Sequence, residues 1–128
     1  MLPRNLIGAI ALFGLASAQA DDYSSTYTQC MDTASSTTAM GACIQAETKL
    51  QDERLNRVYK QLLAKLAPGQ QKALREVQRK WIAYRDGNCA FHRNLSDGSL
   101  YRIEGAMCVM DMSKTRAAEL ERVLSPGQ

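Results

Sequence analysis

At 128 residues the chain has the length of a single domain. Sixteen Lys and Arg against thirteen Asp and Glu give +3, or +2 once Arg4 is set aside with the leader read below, and so weak a charge excludes the concentrated field of a nucleic-acid binder. Hydrophobic residues at 45% and charged residues at 23% exclude wholesale disorder and a polytopic membrane protein, and the scarcity of aromatic residues points to a core of Leu, Ala, Met and Val between helices.

Arg4 is the only charge before Asp21, and Leu6 to Ala18 is an apolar run ending in Ala18-Gln19-Ala20, the small-x-small pattern of a signal peptidase site. Residues 1–20 therefore read as a cleaved signal peptide and 21–128 as the mature domain. The run is too short for the roughly 20 apolar residues of a spanning helix, so no stable membrane insertion is expected after cleavage. Asp21, not Cys, stands directly after Ala20, so no lipid attachment is expected there. The protein is expected to be periplasmic or secreted.

Cys30, Cys43, Cys89 and Cys108 fit that compartment, where an even cysteine count implies disulfides. A metal cluster is disfavoured, because no Cys-x-x-Cys knuckle occurs and only His92 lies close to a cysteine.

The mature chain reads as helices throughout. Ser24 to Thr38 is rich in Ser and Thr, yet Tyr27, Cys30 and Met31 share one face of a short first helix. Met40, Cys43, Ile44, Leu55, Val58, Tyr59, Leu62 and Leu66 follow a 3.6-residue period, with Ser36 or Thr37 as N-cap of a long second helix. Pro68-Gly69 turns the chain back. A third helix, from about Gln70 to His92, carries Leu74, Val77, Trp81 and Tyr84 on or beside one face, and should pack on the second as an antiparallel hairpin. Asp97-Gly98-Ser99 supplies a turn and a cap, and a fourth helix runs from about Leu100 to Val123, with an irregular turn expected near Gly105. The fold class is therefore all-α, a disulfide-bonded domain of about four helices built on a long antiparallel hairpin. In that arrangement Cys30 ends the first helix and Cys43 begins the second, while Cys89 ends the third and Cys108 lies early in the fourth. The adjacent pairs are favoured, each worth roughly 3 kcal/mol in the chain-entropy model.

The series Cys30, Cys43, Asp52, Leu55-Asn56, Tyr59, Leu62, Gln78, Trp81, Arg85-Asp86, Cys89, Gly98-Ser99, Cys108, Arg116 and Glu119-Leu120 resembles the lysozyme-inhibitor LprI-type N-terminal domain. The stretches at 55–62 and 78–89 are its most specific parts. Two departures are visible: Ser113 stands where the family often has Thr, and the lipid-modified Cys of lipoprotein members is missing. The resemblance implies a small helical envelope protein that inhibits lysozyme.

Asn56 and Arg85 are polar residues flanked by core positions. A recognition site is one reading; the favoured one is an internal network with Asp52, Asp86 or Glu119, with Tyr59 and Trp81 as core. Catalytic readings fail for want of parts: the single His92 has no nucleophile motif near it, Asp52 and Glu53 diverge by about 100° on one helix, and the thiols should be oxidised. No catalytic residue, cofactor or metal is expected. Lys72, Arg75 and Arg79 read as a solvated face, and Asn94-Leu95-Ser96 as an exposed loop. The expected partner is a protein. It is either a lysozyme-type muramidase, whose groove the chain would occupy, or another exported protein, met by an envelope binding protein or immunity factor. The segment best suited to contact it runs from Arg93 to Arg102 and carries Arg93, Asn94, Ser96, Asp97 and Arg102, closed by the bridge from Cys89 to Cys108. Because lysozymes are commonly basic, the +2 total offers no long-range steering, and local fit must carry recognition.

Overall fold

The computed structural model describes residues 22–127, so the leader reading lies outside the described residues. Four helices make up most of the described residues: α1 (Ser25–Thr33), α2 (Thr37–Lys65), α3 (Pro68–Arg93) and α4 (Ser99–Leu124). Their starts follow local chemistry. The Ser24 and Ser36 hydroxyls accept from the backbone N–H groups of Tyr27 and Ala39, capping α1 and α2. Pro68 opens α3 at its first position, where a missing N–H costs nothing, and the Gln70 side chain accepts from the Ala67 N–H. α4 starts from Gly98 with no side-chain cap, so the cap expected from the Asp97-Gly98-Ser99 turn is not formed.

Both favoured disulfides are present. Cys30 pairs with Cys43 at a Cα separation of 5.7 Å, and Cys89 with Cys108 at 5.4 Å. Cys30 lies one turn inside α1 rather than at its end.

The connection between α2 and α3 is the expected hairpin turn, but the two helices scarcely touch along their lengths, and both pack on α4. Leu55, Val58 and Leu62 of α2 form one core cluster with Ala117 and Leu120 of α4, flanked by Leu74 and Trp81 of α3. Ile44 forms a second with Ile103 and Met110, covered by Tyr27 and Met31 of α1. Low numbers meet low and high meet high, so α2 and α4 run parallel. α3 returns the chain between them, antiparallel to α4, with Cys89 joined to Cys108 and Gln78 bonded to Arg116. The inward residues of α3 reach α2 by their side chains: Trp81 packs against the Leu55 cluster, and the Arg85 guanidinium stands 3.9 Å from Asp52.

No break occurs at Gly105. The residue is buried in an unbroken α4, and a Cβ there would stand 2.7 Å from the Cβ of Arg93. Its absent side chain lets the end of α3 press against α4.

Candidate functional site

The end of the bundle formed by α3 and α4 is fastened twice within a few residues, by the Cys89–Cys108 bridge and by the contact of Arg93 with Gly105. Beyond it the chain crosses from one helix to the other in five residues, 94–98. Arg93, Asn94, Ser96, Asp97 and Arg102 are all exposed there, and among the described residues their side chains form no ion pair or hydrogen bond. The structure therefore gathers this predicted set on one projecting tip. Phe91, Leu95 and Leu100 share the tip and are 63%, 54% and 62% exposed, apolar groups the fold does not use. His92 stands beside Phe91 with its ring edge-on at 5.7 Å.

The polar residues of the resemblance lie elsewhere, where three helices converge. Arg85 donates to Asp86 at 3.0 Å and to the buried Ser113 hydroxyl at 3.3 Å, and stands 3.9 Å from Asp52 of α2. Its guanidinium lies 5.1 Å from the Trp81 ring centre. This is the internal network expected of Arg85, with Asp52 and Asp86 as partners; Glu119 instead pairs with Arg116. Asn56 departs from expectation. It is exposed, one residue beyond the inward stripe, and lines with Asp52 a groove of about 640 Å³ floored by Ile44, Ala106 and Val109. Tyr59 and Trp81 are half-buried against the Leu55 cluster.

A second polar cluster was not singled out in the sequence. Glu47 is fully buried, accepts from the Ser24 N–H and hydroxyl and from the Gln51 amide, and so ties the start of α1 to α2. Burial works against its charge, but the Ser24 and Gln51 hydrogen bonds and nearby Lys114 hold its carboxyl below the usual range. Gln51 accepts in turn from Arg54, whose guanidinium grips both oxygens of Glu121 at 2.7 and 2.6 Å. That grip holds the Glu121 carboxyl below its ordinary value. Glu47 and Gln51 occupy the same register as Ile44, Leu55 and Val58, and that register was the signal available.

The third site is a hollow of about 320 Å³ between α3 and α4, on which Trp81, Tyr84, Asp111, Thr115 and Arg116 converge. Asp111 also carries a buried oxygen without a hydrogen-bond partner. Burial pushes the Asp111 carboxyl up, against the pull of Lys114.

Among the described residues no group of His, Cys, Asp and Glu could hold a metal ion, and no helix is long and apolar enough to cross a membrane. The family model described as "Lysozyme inhibitor LprI" matches residues 30–120, from the first cysteine to the last buried leucine of α4. An uncharacterized protein of Rhizobium meliloti (strain 1021) is 25% identical over 103 residues, covering 70% of this chain and 74% of that protein. No solved structure matches.

Proposed function

The chain belongs to the lysozyme inhibitor LprI family, and on that premise we propose that it is an exported, non-catalytic protein that binds a lysozyme-type muramidase and blocks its substrate groove. The two disulfides fit an oxidising compartment outside the cytoplasm. The observation that carries the reading, beyond family membership, is the tip joining α3 and α4. It projects, it is locked at its base, and it presents Arg93, Asn94, Ser96, Asp97 and Arg102 with no side-chain hydrogen bond or ion pair among the described residues. A segment ordered before binding loses less entropy on docking. An Arg93 or Arg102 guanidinium would pair with an acidic residue of a groove built around two carboxylates.

The test is the rate at which animal-type and bacterial muramidases lyse cell walls as the protein is added, followed by the same assay with Arg93→Ala, Asp97→Ala and Arg102→Ala. Dose-dependent inhibition, weakened by the substitutions, is the expected result. Unchanged lysis at micromolar excess with every enzyme rejects the inhibitor reading, and capture of a different exported protein from periplasmic extract would then favour an envelope binding or immunity role. Inhibition insensitive to the three substitutions rejects only the tip.

A further inference from the structure

We propose that the hollow between α3 and α4 around Tyr84 and Asp111 is a docking pocket for a lysine or arginine side chain of the protein partner. The inference rests on the protein-binding reading above and adds a contact to it.

Four observations converge on this pocket. First, an oxygen of Asp111 is buried with no hydrogen-bond partner, the single such side-chain atom among the described residues. Buried acceptors are almost always satisfied, and Asp111 lines the hollow, so a turn of its carboxyl would offer the unmet oxygen to a donor from outside. Second, neither neighbouring cation, Arg116 in the wall of the hollow or Lys114 one turn along α4, donates to that oxygen. Arg116 is held by Gln78 and Glu119, and the Lys114 ammonium lies 4.2 Å from the centre of the Tyr23 ring, on the α1 side of the bundle. Third, the cavity walls have the right chemistry for such a side chain. The rings of Trp81 and Tyr84 can pack an aliphatic stem, and a cationic head reaching Asp111 would lift the penalty that burial places on its ionised form. A neutral donor would satisfy the oxygen but not offset the charge, which is why the occupant is basic.

Fourth, the pocket lies on a face prepared for contact. Tyr84 is 64% exposed, and Val77 and Phe91, 50% and 63% exposed, stand one heptad to either side of it. Seven residues make two helical turns, so the three form one stripe along α3. Phe91 carries that stripe to the base of the tip, roughly 10 Å from Tyr84 at 1.5 Å per residue. The pocket and the tip therefore belong to one continuous surface, with exposed aromatic anchors beside a charge-accepting hollow, the usual make-up of a binding hot spot. Recognition is reciprocal in charge: arginines of the tip seek the partner's carboxylates, and Asp111 takes one of the partner's cations. A basic muramidase thus finds a local match on a chain whose overall charge does not attract it.

The test has two arms. Isotope-labelled protein is titrated with Nα-acetyl-lysine amide and, as a control, its neutral norleucine analogue, while amide resonances are followed by NMR. Lysine-specific shifts concentrated at Tyr84, Asp111 and Thr115, and lost in Asp111→Asn, are expected. Shifts scattered over the acidic surface, or unchanged in Asp111→Asn, overturn the proposal. In the second arm, Asp111→Asn and Tyr84→Ala are assayed for muramidase inhibition after their melting curves confirm folding. Each should weaken inhibition roughly tenfold or more. Inhibition at wild-type strength by both variants overturns the pocket and leaves the inhibitor reading intact. Failure of the wild type to inhibit any muramidase, with the lysine probe still binding the hollow, overturns the inhibitor reading and supports the pocket as the site of a different basic partner.

Discussion

At the α1 end of the bundle, Glu47 is fully buried and both of its carboxylate oxygens accept hydrogen bonds, from Ser24 and Gln51. Between α3 and α4, Asp111 is only half-buried, yet one of its oxygens is unmet. The contrast extends to the apolar groups. Tyr27 and Met31 of α1 cover the Ile44 cluster, whereas Phe91, Leu95 and Leu100 at the α3–α4 turn are mostly in solvent. Each region has a disulfide, so the difference is not one of covalent reinforcement. One region directs its polar and apolar groups inward and stabilises the fold. The other is bridged by a disulfide yet leaves such groups unused.

The largest effect that can sharpen this comparison is loss of the bridges. Each should contribute roughly 3 kcal/mol, so reducing both should lower the melting temperature by well over 10 °C in a domain of this size. Removing them singly separates the two regions. Replacing Cys30 and Cys43 by Ala should lower stability yet leave muramidase inhibition intact, because Ser24 and Glu47 still hold α1. Replacing Cys89 and Cys108 should lower stability comparably and weaken inhibition as well. Equal loss of inhibition in both variants would break the division of labour. Glu47→Ala comes next, at about 2–3 kcal/mol by chemical denaturation, since it strands the Ser24 N–H and the Gln51 amide. Trp81→Ala should cost about 2 kcal/mol, less than a fully buried Trp would, because its ring is half-buried and shared between the Leu55 cluster and Arg85.

Much of the first half of the fold is legible in the sequence. Ser36 marks a helix start, Pro68 marks another, and the apolar period of α2 points Ile44, Leu55, Val58 and Leu62 inward. The pairing of the four cysteines followed once the helices were placed. Glu47 and Gln51 escape a hydrophobic period because their side chains are polar, although their spacing puts them on the buried stripe. The parallel packing of α2 on α4 was hidden for another reason: contacts between residues some 60 positions apart leave no local signature, whereas a turn at Pro68 does. Gly105 shows the same limit, since its value lies in the approach of Arg93, which no helical period records. Of the candidate sites, the tip could be read because turn residues and charges coincide there. The hollow could not, since Asp111 stands between two methionines and three residues from Lys114, and nothing in that string reveals an unmet oxygen.

The smallest effect, and the one most specific to the comparison, is the dependence of stability on pH. Glu47 and Glu121 titrate below the ordinary carboxylate range in the fold, Glu47 because hydrogen bonds from Ser24 and Gln51 overcome its burial, and Glu121 chiefly because Arg54 grips it. The unfolded chain therefore binds protons at these groups before the folded one does. Their stabilisation is complete above the ordinary carboxylate range and is lost as pH falls through their lowered values. Asp111 has the opposite sign. Its carboxyl titrates above the ordinary range because it is buried, so its ionised form weakens the fold at neutral pH, and acidification through that raised value removes the penalty. Asp111→Asn should accordingly melt slightly above the wild type at neutral pH, with the gap closing as the solution is made acidic. Glu47→Gln should melt below the wild type at neutral pH, and its gap should also narrow in acid as the wild-type carboxylate becomes protonated. Paired melting curves from pH 7 to pH 3 would read both. Two variants shifting in the same direction at neutral pH would show that the unmet Asp111 oxygen is as well satisfied in solution as those of Glu47, and the contrast between the two regions would fall with it.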